Sequence, residues 1–177
     1  MTALKITAIV LALLGALILT AWCIPSTVHV SRVFAAPLDR VWALWESEGE
    51  ISRWWGPTGY SAPTIRHDFR PGGSFVLCMR SPAGKLFWNA GTYLEIVSRQ
   101  RIVQSLSFAD EQGHPVPGAS APVPGKWPDH VTVITEFRAV SGGTEVSIEE
   151  RGIPLIVKLF AGIGWQQQFD KIVTILR

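Results

Sequence analysis

Residues 131–150 read VTVITEFRAVSGGTEVSIEE. Val131, Val133, Thr135 and Phe137 alternate with Thr132, Ile134 and Glu136, and beyond Ser141-Gly142-Gly143-Thr144 the residues Val146, Ile148 and Glu150 alternate with Glu145, Ser147 and Glu149. Successive side chains of a strand point to opposite faces, so alternation on both sides of a Gly-Gly pair predicts a β-hairpin with one apolar face. The pattern extends upstream. Ile65, His67 and Phe69 alternate with Arg66, Asp68 and Arg70, and Pro71-Gly72-Gly73 is a turn signal. Phe75, Leu77 and Met79 alternate with Ser74, Val76, Cys78 and Arg80 before a second turn at Ser81-Pro82-Ala83-Gly84. Leu86 to Val97 reads as a long strand with a bulge or bend at Gly91, and Ile102 to Phe108 as another. Sequential hairpins make an antiparallel sheet whose apolar face needs a cover.

The cover comes from both ends of the domain. Val28 to Ala35 is a short strand rich in β-branched residues, and Pro37 then suits the first turn of a helix with Val41, Leu44 and Trp45 on one stripe. A second helical turn over Ile51 to Trp55 stops before Gly56-Pro57. Near the C-terminus Trp165, Phe169, Ile172, Val173 and Leu176 recur at three- and four-residue steps, the stripe of a long amphipathic helix. The expected class is therefore α+β: a curved antiparallel sheet of about six to seven strands around one long C-terminal helix, with a cavity between them. Asp110 to Asp129 carries five prolines and three glycines and has no periodicity. A loop this long is either a lid or binding loop, or a solvated insertion.

Residues 6–24 read ITAIVLALLGALILTAWCI, nineteen residues without a charge. As a helix this run spans about 28 Å, close to the ~30 Å hydrocarbon core of a bilayer. Lys5 precedes it, Pro25 ends it, and Trp22 stands where an interfacial Trp is expected. A single transmembrane anchor, a cleaved signal peptide and a buried helix are the three readings. The anchor is favoured because the run has no polar stripe and the small-x-small cleavage sites are poor. The expected organisation is an anchor or signal segment over 1–25 and one domain over 26–177, with the N-terminus inside and the domain outside the cytoplasm.

The 177 residues carry a net charge of +2, with 17% charged and 47% hydrophobic residues. This excludes disorder and argues against a nucleic-acid module, which needs a clustered basic excess. Two cysteines exclude a disulfide scaffold. Of eight Trp, all but Trp22 fall between Trp42 and Trp165, and such rings need a core or a ligand to pack on.

Motifs that carry chemistry are scarce. There is no phosphate loop of the GxxxxGK type and no GxSxG elbow. The four histidines (His29, His67, His114 and His130) show no HxH or HxxxH spacing, so no metal and no cofactor is expected. Cys78 reads as a buried, inert thiol. Three polar residues share parity with the apolar face: His67 between Ile65 and Phe69, Gln104 between Ile102 and Leu106, and Glu150 after Val146 and Ile148. An inward polar group costs free energy unless it is hydrogen-bonded, so each is either a satisfied core group or a group that orients a ligand. His67 and Glu150 would form an acid–base pair if the fold brought them together.

The order of short motifs resembles the family of activator of heat-shock protein 90 ATPase homologues, within the START-like (SRPBCC) superfamily. The matching pieces are Ala36-Pro37 with Val41-Trp42, Trp54-Trp55-Gly56-Pro57, Asp68 to Gly73 (DFRPGG), Pro82-Ala83-Gly84, Gly91 to Ile96 (GTYLEI), Arg101-Ile102-Val103, Val131 to Phe137, Gly142-Gly143-Thr144, and Gly164-Trp165 with Phe169-Asp170. The resemblance implies a helix-grip fold with an internal cavity bordered near Trp54 and Trp55. Candidate wall residues are Trp54, Trp55, His67, Phe69, Phe75, Leu77, Gln104, Val133, Glu150, Trp165 and Phe169. The favoured function is binding of a small apolar or amphipathic ligand by a membrane-tethered domain, without catalysis. The alternatives are a cyclase- or hydrolase-like enzyme using His67 or Glu150, and a module that binds a chaperone if the domain is cytosolic.

Overall fold

The computed structural model describes residues 2–177, apart from the side chains of residues 2–6, 8 and 9. Helix α1 spans Thr2–Cys23. Strand β1 (Pro25–Phe34) leads to α2 (Leu38–Glu46) and α3 (Glu48–Trp54). Six strands follow: β2 (Ser61–His67), β3 (Ser74–Arg80), β4 (Leu86–Val97), β5 (Arg101–Ala109), β6 (Val131–Val140) and β7 (Gly143–Pro154). The chain closes with α4 (Lys158–Leu176). The seven strands form one antiparallel sheet in the order β1-β7-β6-β5-β4-β3-β2. Only β1 is out of sequence order, so α2 and α3 carry the chain from one sheet edge to the other.

Local chemistry sets the boundaries. Pro37 is the N-cap of α2 in extended backbone, one residue before the first turn where the sequence pattern puts it. The second helix begins earlier than the apolar pattern indicates, at Glu48, because the Ser47 hydroxyl accepts the Glu50 N–H as an N-cap. β2 ends at His67, so Phe69 lies in the following turn rather than on the strand. The sheet irregularity in β4 falls between Tyr93 and Glu95, not at Gly91. Gly91 has a different role. A Cβ there would lie 1.9 Å from the Ser105 carbonyl oxygen and 2.4 Å from Cζ of Phe75. The missing side chain is the space that the Phe75 ring fills.

The face under the helices buries Phe75, Leu77, Val133, Val146 and Ile148 against Trp165 and Phe169 of α4, one continuous core. Phe169 meets Phe34 edge-on at 5.4 Å. The run Gln166-Gln167-Gln168 ties α4 to three different places. Gln166 accepts from Arg32 on β1, Gln167 from the Thr58 N–H, and Gln168 from the Gly56 N–H. Lys171 donates to the carbonyls of Gly56 and Tyr60 at 2.7 and 2.9 Å. Gly56 holds a φ of +90°, a conformation that favours glycine. Helix α4 thus grips the turn after α3 by its backbone.

The expected membrane span over residues 6–24 begins among side chains outside the described residues. Among the described residues no helix is long and apolar enough to cross a membrane. The end of α1 touches the domain. The Trp22 carbonyl accepts the Lys126 N–H, and the Ile24 carbonyl accepts the Leu155 N–H.

Candidate functional site

A cavity of about 530 Å³ lies between the first half of α4 and the sheet. Its floor is made by inward residues of five strands: Met79 of β3, Phe87 and Asn89 of β4, Leu106 and Phe108 of β5, Val131 of β6 and Glu150 of β7. Its roof is Phe160, Ala161, Gly164, Trp165 and Gln168 of α4. Trp55, Pro57 and Tyr60 close one side, and Val123, Pro124, Trp127 and Pro128 of the 110–129 loop close another. The long loop is therefore part of the wall. Trp127 is fixed there by an edge-on contact with Phe108 at 5.0 Å and by its indole N–H, donated to the Pro124 carbonyl at 2.9 Å. Phe160 lines the cavity yet is 71% exposed, which places it at the mouth.

Among the described residues Glu150 is the only carboxylate in this wall, and it is 8% exposed. Its Oε2 accepts the indole N–H of Trp165 at 2.8 Å. Its strand neighbours across β1 and β6 are Val28 and Val133. Burial among them pushes the Glu150 carboxyl above the ordinary carboxylate range, and the Trp165 bond opposes this only in part. The other polar wall residues are neutral. Asn89 donates to the Ser107 carbonyl at 3.4 Å, and Gln168 is engaged with Gly56 and Gly164.

Of the sequence-derived candidates, Trp55, Glu150 and Trp165 line the cavity. The others do not reach it. Trp54 packs on Trp45 at 4.8 Å and donates its indole N–H to the Leu44 carbonyl. Phe75, Leu77, Val133 and Phe169 are core residues, and Phe69 packs beside them on Trp42 and Tyr93. Gln104 is half-buried between Tyr93 and Val133 in the strand register. His67 has the inward parity expected of it and sits in register with Phe75, which in turn faces Gly91. The Phe75 ring over Gly91 separates it from the cavity. Its Nδ1 lies 2.9 Å from the Tyr93 hydroxyl, and burial lowers its pKa. His67 and Glu150 stand on strands separated by four others, so no acid–base pair forms. Cys78 is buried, with a thiol pKa raised by that burial. Among the described residues no group of His, Cys, Asp and Glu is arranged to hold a metal.

Sequence reading missed the loop and α4-entry residues Trp127, Pro124, Phe160 and Ala161. Trp127 was the available signal: a large ring in an otherwise Pro- and Gly-rich loop.

The model of the family described as Activator of Hsp90 ATPase homolog 1-like protein matches residues 35–177. The chain belongs to this family. Solved structures agree with the family's fold. A Chromobacterium violaceum protein is 26% identical over 85% of this chain and 96% of its own, with a TM-score of 0.71. A Mycobacterium smegmatis protein is 24% identical over 85% and 90%, also at 0.71. The AHSA1 protein of Silicibacter pomeroyi shares 18% identity over 85% and 97%, at 0.68. No curated protein matches the chain. The matched region begins just before α2, so β1 and α1 lie outside it, while every cavity-lining residue lies within it.

Proposed function

We propose that this member of the Activator of Hsp90 ATPase homolog 1-like family is a non-catalytic START-like binding domain whose cavity takes one small apolar or amphipathic ligand. The observation that carries the reading is the cavity itself. Ligand sites of this kind are concave, mostly apolar, roughly 300–1,000 Å³ in volume, and carry few polar groups. Rings from α3's end, β4, β5, the long loop and α4 supply the apolar wall, and Glu150 supplies the polar point.

The same reading tethers the domain to a membrane through residues 6–24, with the domain outside the cytoplasm. Its support is the exposed apolar surface of α1. Leu11, Leu13, Leu14, Leu17, Ile18 and Leu19 are each at least half exposed and point to all sides of the helix. A helix apolar all round requires lipid or protein around it.

The test is titration of the neutral probe N-phenylnaphthylamine into the full chain held in nanodiscs, with empty nanodiscs as the blank. Saturable binding is expected for the wild type and its loss for Ala161→Trp, which places an indole in the roof. Equal saturable binding in both proteins would move the ligand out of this cavity.

A further inference from the structure

We propose that the cavity selects ligands whose polar head donates hydrogen bonds, an amine or an alcohol on an apolar body, and rejects carboxylates and phosphates, with Glu150 as the residue that receives the head. This deepens the ligand-binding reading and rests on it.

The two oxygens of the Glu150 carboxyl group have different surroundings. Oε2 is held by the Trp165 indole N–H at 2.8 Å, which fixes the side chain against α4. Oε1 takes no hydrogen bond from the described residues, yet it is not among the buried polar atoms shut off from solvent. It therefore opens onto the cavity that Glu150 lines. An acceptor that faces a mostly apolar space has few donors within reach, and a ligand head that donates supplies the bond.

The rest of the wall decides the sign of the ligand. Among the described residues no Lys, Arg or His lines the cavity. Lys171, on the same helix, is turned to the carbonyls of Gly56 and Tyr60. The residues paired with Glu150 across the sheet, Val28 and Val133, are uncharged. An anionic head would thus be buried with no cation to pair with, beside an acid. An amine or hydroxyl head would find Oε1 as an acceptor, and an ammonium would in addition stabilise the ionised form that burial alone disfavours. A desolvated charge without a partner is strongly unfavourable, whereas a paired one is not.

Phenylbutylamine, phenylbutanol and phenylbutanoic acid share one apolar body and differ in the head. Their binding to the full chain in zwitterionic nanodiscs is read from competition with N-phenylnaphthylamine. The amine is expected to bind about tenfold or more tightly than the acid, with the alcohol between, since a carboxylate head would be buried without a cation to pair with. Glu150→Gln, whose carbonyl still accepts from Trp165, is expected to weaken the amine about tenfold and leave the acid no weaker. An acid that binds the wild type as tightly as the amine overturns the proposal, whether or not the variant folds. So does an unchanged amine preference in a folded Glu150→Gln. Failure of all three compounds while the probe still binds overturns the head-group assignment alone. Failure of the probe as well removes the cavity reading and this inference with it.

Discussion

The space under α4 is filled at one end and hollow at the other. The filled end packs Phe34, Trp42, Trp45, Phe75, Phe137 and Phe169 ring against ring, with centroids about 5 Å apart in the closest pairs. The hollow end has rings too: Trp55, Phe87, Phe108, Trp127, Phe160 and Trp165. They line a void instead of meeting across it. Trp55 and Trp165, 6.1 Å apart, stand at the border between the two. Aromatic richness alone therefore does not separate core from site. What separates them is the helix above. At the filled end α4 presents Phe169 and Ile172, while at the hollow end Ala161 and Gly164 stand between Phe160 at the mouth and Trp165 at the border, and these small residues leave the gap open.

The contrast can be broken by mutation. Phe169→Ala carries the largest expected effect, a loss of about 3–5 kcal/mol in chemical denaturation, because the ring is fully buried in the core. Trp165→Phe comes next. It removes the donor to Glu150 and leaves a buried acceptor unmade, an expected loss of about 1–3 kcal/mol. Phe108→Ala enlarges a space that is already open, so a loss of about 1 kcal/mol is expected. A Phe108 loss as large as that of Phe169 would erase the distinction between the two ends.

The finest test is a pH slope. Burial raises the Glu150 carboxyl, so the native protein holds this proton more tightly than the unfolded chain does. Stability conferred by Glu150 is then lost as pH rises above the unfolded glutamate value of about 4.3. Glu150→Gln is expected to match the wild type in strong acid and to gain on it as pH rises. Parallel curves across that range would mean that the carboxyl is solvated, and the hollow end wet.

Strand parity made the fold legible. The Val131–Glu150 hairpin, the Ser74–Arg80 and Leu86–Val97 strands and the α4 stripe all stand where the pattern puts them. Parity reports the face, not the position along it. His67, Phe75, Leu77 and Val133 are on the inner face, yet none lines the cavity. For His67 the reason is Gly91, whose missing side chain lets Phe75 fill the space in between. Half of the wall was illegible for another reason. The 110–129 loop and the start of α4 have no periodicity that points inward, and their place follows only from long-range contacts such as Trp127 on Phe108.

Native mass spectrometry of the full chain released from nanodiscs tests the central claim most directly, with wild type and Ala161→Trp compared side by side. The account predicts one apolar molecule retained per wild-type chain and a bare variant that remains folded. The same molecule held equally by both proteins, or by neither when N-phenylnaphthylamine also fails to bind, would contradict it.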